Sequence, residues 1–239
     1  MNSLLFEDET VDRFFDGKLE IIQRKKGYRF SVDAILLSQF IKIHKNEKAI
    51  DLGTGCGILP LLLSQNTQGK FLAVEIQPEL AALAKKNVLL NSLESRISIL
   101  CNDWRTLTGA FLPDSFNVVF SNPPYRKHHT GRVNPALERA IARHEIKGTI
   151  EDLISITSYL LRPKGRAYLI FPPSRMVDLL VTLRSKKLEP KRIQLVYPRI
   201  DEGAKFALIE SVKSSGVELR VMEPLILRRL KNILTTGAE

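Results

Sequence analysis

Five short apolar runs recur along the chain with helix-length stretches between them, and this alternation restricts the fold more than any other feature. They are Lys48–Leu52, Lys70–Glu75, Arg96–Leu100, Phe116–Phe120 and Gly165–Phe171. Runs that are apolar throughout, rather than at every second residue, read as strands buried on both faces. Parallel strands need long crossovers, which the intervening segments supply. The expectation is an α/β domain with a mostly parallel seven-stranded sheet and helices on both faces. Pro78 suits the first turn of a helix, and Thr149 with Asp152 has the spacing of a capping box before Leu153 and Ile154. That helix is predicted to stop before Pro163. Ser31 is placed to cap a helix carrying Val32, Ile35, Leu36, Phe40 and Ile43, and Ser174 one that runs to about Lys187. Lys191–Tyr197 and Ala204–Val212 read as the one antiparallel hairpin, at the C-terminal end of the sheet. A length of 239 residues fits a single domain, 1–239, with its core over 46–230.

The first run leads into Asp51-Leu52-Gly53-Thr54-Gly55-Cys56-Gly57, at the carboxyl end of a strand, where open α/β sheets bind ligands. Glu75 ends the second run, 24 residues after Asp51, where a carboxylate can accept two bonds from a ribose diol. A dinucleotide site needs G-x-G-x-x-G, but the third position is Ile58 counted from Gly53 and Pro60 counted from Gly55. Asp51 would also repel a pyrophosphate, and it suits a cationic ligand.

The run with Glu75 after it resembles the first two motifs of class I methyltransferases, whose cofactor, S-adenosyl-L-methionine, carries an ammonium and a sulfonium. That resemblance implies a Rossmann-like fold. It implies that Gly53 and Gly55 lie against the methionine part of the cofactor, which Asp51 helps to hold. It also implies that Glu75 takes the ribose, that Asp103 receives the adenine amino group, and that Trp104 and Ile76 sandwich the adenine ring.

Asn122-Pro123-Pro124-Tyr125 follows the fourth run. An exocyclic amine on a planar base is a poor nucleophile, because its lone pair is delocalised into the ring. The Asn122 side-chain oxygen and the Pro123 carbonyl can each accept one of its N–H bonds, which favours a pyramidal nitrogen. The prolines fix the backbone and offer no competing donor, and the Tyr125 ring can stack on the base. The motif resembles the N-P-P-Y of amino-methyltransferases, whose acceptors include adenine N6, guanine N2 and a glutamine side chain. This chemistry calls for no metal.

Three further segments narrow the acceptor: Gly27-Tyr28-Arg29-Phe30-Ser31-Val32-Asp33-Ala34, Ala142-Arg143-His144-Glu145, and Leu188–Arg192 with Val196–Arg199. Together they resemble the bacterial tRNA1(Val) adenine-N6 methyltransferases, over roughly residues 10–227. The resemblance implies that Phe30, Ser31 and Asp33 close over the cofactor, within an N-terminal covering segment of residues 1–45. It also implies that Arg143 and His144 stand near the substrate entrance. Lys and Arg outnumber Asp and Glu by 36 to 26, a net charge of +10 that favours a polyanionic partner. Arg126, Lys127 and Arg132 follow the acceptor motif directly, within a polar stretch, 126–148, too long to be an ordinary connection. Further basic clusters lie at Arg24, Lys25, Lys26 and Arg29 and at Lys186, Lys187, Lys191 and Arg192.

No run is apolar and long enough for a membrane span, the first residues do not read as a signal peptide, and two cysteines make no disulfide framework. A cytoplasmic tRNA methyltransferase is therefore the leading expectation. Ribosomal-RNA guanine-N2, DNA adenine-N6 and protein-glutamine N5 methyltransferases stay open within the same chemistry. A nucleic-acid-binding module on a methyltransferase fold stays open outside it. The oligomeric state is not legible.

Overall fold

The structure is a computed structural model that describes residues 8–15, 17–25, 32–123 and 148–228. Strands β1 (Glu9–Phe14) and β2 (Leu19–Arg24) come first, then helix α1 (Val32–Phe40). Next are β3 (Lys48–Leu52), α2 (Ile58–Ser64), β4 (Lys70–Glu75), α3 (Pro78–Leu90) and β5 (Ile97–Cys101). A 3-10 turn (Trp104–Gly109) leads to β6 (Phe116–Ser121), α4 (Ile150–Leu160) and β7 (Leu161–Phe171). A second 3-10 turn (Pro173–Arg175) leads to α5 (Met176–Ser185), β8 (Leu188–Tyr197) and β9 (Phe206–Lys213). The short strands β10 (Arg220–Val221) and β11 (Leu225–Ile226) end the described chain.

The main sheet runs β8-β9-β7-β6-β3-β4-β5, with β10 and β11 both paired to the outer side of β8. Only β9 opposes its neighbours, β7 and β8; the other pairings are parallel. The seven expected strands are therefore present, and two very short ones extend the edge. Successive strand residues feed two separate cores, as a pleat of period two requires. Ala49, Val118, Phe120, Tyr168 and Ile170 join the core under α1, α2 and α3. Ile50, Val119, Leu169 and Phe171 join the core under α4 and α5. This two-sided burial is why the runs are apolar throughout.

Several boundaries differ from expectation. The C-terminal hairpin is not the only antiparallel one: β1 and β2 form another, outside the main sheet. It packs on α3, where Asn87 accepts from Ile22 N–H at 2.7 Å and Asn91 from Glu20 N–H at 3.0 Å. The same two amides donate to the Ile22 and Glu20 carbonyls. Its connection carries Asp16-Gly17, a local hairpin signal that sequence reasoning passed over, and Gly17 takes φ +81°. Strand β7 reaches back to Leu161, past Pro163 and Gly165, because a register irregularity between Phe116 and Val118 of β6 accommodates them. Helix α1 ends at Phe40, leaving Ile43 to pack from the following loop. Ser174 caps nothing: Pro172 and Pro173 set up a 3-10 turn that takes Ser174 inside it, and Arg175 becomes the N-cap of α5. The Thr149–Asp152 capping box and Pro78 in the first turn of α3 are as expected. Among the described residues, no helix is long and apolar enough to cross a membrane.

Candidate active site

The carboxyl ends of β6, β3, β4 and β5 lie side by side, since β3 pairs with β6 on one flank and β4 on the other, and β4 with β5. Strands sit ~4.8 Å apart. Asn122, the Gly53 loop, Glu75 and Asp103 therefore follow one another along a single rim roughly 14 Å long. Ser121 fastens the middle of this rim: its hydroxyl donates to the Leu52 carbonyl at 2.6 Å. That bond sets Asn122 and Pro123, both half-buried, beside the glycine loop.

The loop is held from below and is open above. Gly53 and Thr54 donate to the Val74 carbonyl, each at 2.9 Å. Gly53 has φ +83°, and a Cβ placed there would meet nothing within 4 Å. Gly57 has φ +85°, and its Cβ would press on Ala84 at 3.3 Å, so glycine lets α2 start against α3. Gly55 donates its N–H to Glu75 Oε2 at 2.9 Å. Glu75 Oε1 accepts the Gln77 N–H at 3.0 Å. Glu75 is buried; Oε1 also accepts the Gln77 side-chain amide at 3.4 Å, so Oε2 is the oxygen that keeps a lone pair for a further donor.

Asp51 is wholly buried, and neither carboxylate oxygen has a hydrogen-bond partner among the described residues. Burial pushes its pKa up from 3.8 to about 7; the nearby Thr54 hydroxyl offsets part of this and the Glu75 charge adds to it. Burial likewise pushes the Cys56 thiol up to about 12, so this loop cysteine is not a nucleophile. An unmet buried carboxylate under a loop with open space above its first glycine fits a cationic, close-lying ligand such as the methionine end of S-adenosyl-L-methionine.

At the far end of the rim, Asp103 caps the 3-10 turn by accepting the Arg105 N–H at 3.0 Å. It also holds the Arg105 guanidinium, with Nη2 to Oδ2 at 2.6 Å. Trp104 is half-buried, and Ile76 sits half-buried at the end of β4. A Cβ on Gly148 would fall 2.6 Å from the Trp104 ring, so that glycine's backbone lies against one edge of the indole. Asp33 is half-buried in the first turn of α1 and accepts the Ala34 N–H at 3.0 Å. Phe30, Ser31, Tyr125, Arg126, Lys127, Arg132, Arg143 and His144 lie outside the described residues.

In the later basic cluster Lys186 and Lys187 are exposed, whereas Lys191 and Arg192 are engaged. Arg192 pairs with Glu210 and stacks 4.5 Å from the Phe40 ring, and Lys191 donates to the Gly216 carbonyl at 2.7 Å. These side chains brace the sheet edge. Sequence reasoning missed Asn87, which donates to the carbonyls of both Ile22 and Cys56 at 3.0 Å and so ties the N-terminal hairpin to the glycine loop. An asparagine within a helix gives no signal of such a bridge until the hairpin is placed.

A glycine loop over a buried acid, an acidic end to the next strand and an Asn-Pro step two strands along define an S-adenosyl-L-methionine-dependent methyltransferase. The methyltransferase small domain family matches residues 31–170. A Porphyromonas gingivalis tRNA1(Val) (adenine(37)-N6)-methyltransferase is 33% identical over 77% of this chain and 74% of its own. A Bacteroides fragilis protein of the same name is 28% identical over 82% of each chain. The chain belongs to this methyltransferase family. Among solved structures, a predicted O-methyltransferase from Agrobacterium tumefaciens superposes with a TM-score of 0.66 at 26% identity, over 81% of this chain and 86% of its own.

Proposed function

We propose that this chain is a cytoplasmic enzyme that methylates N6 of the adenosine following the anticodon of tRNA1(Val), position 37. The observation that carries the reading is the seat of Asn122 and Pro123 at the end of β6, pinned through Ser121 to the strand that bears the glycine loop. The names of the family relatives and the net charge of +10 support a tRNA acceptor over DNA or protein.

When bound, S-adenosyl-L-methionine supplies an electrophilic sulfonium methyl. Asp51 holds its ammonium end, the backbone at Gly53 and Gly55 lies against the methionine part, and Glu75 accepts from the ribose diol. Ile76 and Trp104 flank the adenine, with Gly148 steadying the indole. Asp103, which also holds Arg105, accepts from the adenine amino group. Phe30, Ser31 and Asp33 close over the methionine end, as part of a covering segment of residues 1–45 on a catalytic core of 46–230. Asn122 Oδ1 and the Pro123 carbonyl each accept one N–H of the target amine and aim its lone pair at the methyl group, while Tyr125 stacks on the base. Acceptors fixed before the reaction are where electrostatic preorganisation contributes most, and close approach does the rest. Once methylated, the amine held by Asn122 and Pro123 would shed a proton to water. Arg126, Lys127, Arg132, Arg143 and His144 guide the RNA at the entrance.

The test is transfer of label from radioactive S-adenosyl-L-methionine to tRNA, ribosomal RNA, DNA and protein, followed by digestion. N6-methyladenosine at position 37 of tRNA1(Val) is expected. Label in another acceptor overturns the substrate and keeps the chemistry. Cofactor binding with no transfer to any acceptor favours a binding module.

A further inference from the structure

Arg175 is a half-buried cation that the chemistry above leaves without a task. It ends the turn that follows β7. Ser121 pairs with Leu169 across β6 and β7, so this turn leaves the sheet at the same rim as Asn122. The Arg175 Nε is sealed from solvent and has no hydrogen-bond partner, and the guanidinium forms no ion pair among the described residues. Two other arginines have a sealed Nε, but both are engaged elsewhere. Arg96 bonds the Ser64 and Thr67 carbonyls, and Arg166 pairs with Glu47.

A guanidinium cannot shed its charge, and partial burial without a counter-charge is costly. An anion that reaches the rim relieves that cost, and the planar fork matches two phosphate oxygens at once. A second cation lies on the neighbouring chain segment. Phe171, two residues before Pro173, pairs with Ala207, two residues after exposed Lys205, whose ammonium lies 5.4 Å from the Phe206 ring. Arg199, in the same β8–β9 turn, is already taken by Asp201 and Glu202.

We propose that Arg175, flanked by Lys205, grips the phosphate backbone of the RNA acceptor on the β7 side of the site and so registers the target base over Asn122. The proposal rests on the RNA reading above. It adds a contact outside the basic stretch that follows the acceptor motif.

The experiment measures binding of the full chain to a tRNA1(Val) transcript across a salt series, with calorimetry of S-adenosyl-L-methionine binding and a thermal melt alongside. Arg175→Met keeps the apolar stem. It is expected to weaken RNA binding about tenfold at low salt and to reduce the log–log salt slope by about one, with cofactor affinity unchanged. Arg175→Lys is expected to restore the slope but only part of the affinity, and Lys205→Met to lower the slope with a smaller loss. Unchanged RNA affinity and slope in Arg175→Met overturn the proposal, as does an equal loss of cofactor affinity, which would assign the guanidinium to the cofactor's carboxylate. If Arg175→Met fails to fold, Arg175→Lys decides, and affinity equal to wild type overturns the proposal. Wild-type protein that methylates tRNA with a steep slope unmoved by Arg175→Met sinks the proposal alone. Wild-type protein that neither binds nor methylates tRNA sinks the acceptor reading and this proposal with it.

Discussion

Asp51 is a carboxylate kept from water with no hydrogen-bond partner among the described residues, and its proton therefore reports on the cofactor. Its pKa stands near 7 in the folded chain against 3.8 for the free side chain. The folded state holds a proton that the unfolded chain releases, so cofactor-free stability declines as pH rises from about 4 to about 7 and levels off above that. Asp51→Asn should flatten this dependence in pH-resolved denaturation. A bound ammonium favours the ionised carboxylate. Cofactor affinity should therefore rise as pH passes upward through 7, with proton release visible by calorimetry in buffers of different ionisation heat; no release would count against the role of Asp51. Asn122→Ala should lower the methylation rate roughly 10²-fold or more, as loss of a preorganised acceptor does, with little change in cofactor affinity. Weakened cofactor binding at an unchanged rate would remove Asn122 from the acceptor role. Glu75→Ala should act in the opposite sense, weakening the cofactor, and unchanged affinity by calorimetry would contradict its assignment to the ribose.

At the scale of elements, legibility followed locality. The strands that bear Asp51, Glu75 and Asn122 were readable because burial on both faces makes each a continuous apolar run, and the Thr149–Asp152 cap because its partners lie three residues apart. The β1–β2 hairpin has a local sign in Asp16-Gly17, but its docking on α3 was not readable, since what holds it there is 65 to 71 residues away in sequence. Ser174 misled because the tendency to cap is local, whereas the Pro172-Pro173 backbone decides which residue starts the helix. Asp103 reads as a ligand acceptor, and no sequence pattern adds that Arg105 also folds back onto it. Asn87 carries the element-scale prediction. Asn87→Ala strands the Ile22 N–H and the Ile22 and Cys56 carbonyls, a loss of about 1–3 kcal/mol for a buried unmet group. Denaturation should show that loss, and hydrogen exchange should speed up along β2 before the main sheet opens. Protection of β2 equal to wild type would mean that other contacts hold the hairpin.

Across the whole molecule, the excess of positive charge is partly spent on architecture. Arg166 and Arg192 anchor α1 and its following loop to the sheet through Glu47, Glu210, the Phe40 ring and the Phe40 carbonyl. A count of +10 therefore overstates the charge presented to a polyanion. RNA affinity should still fall steeply with salt while cofactor affinity stays nearly flat; parallel salt curves for the two ligands would mean that the charge does not steer the acceptor. The amide clamp on β2 has a consequence of a different kind. A two-stranded ribbon outside the main sheet would ordinarily leave a row of backbone groups ready to recruit a strand from another copy. The outward groups of Glu20 and Ile22 are instead met by side chains one helical turn apart, so a helix stands where a third strand would add. Fastening the hairpin and keeping neighbouring chains from polymerising onto it are thus the same four bonds.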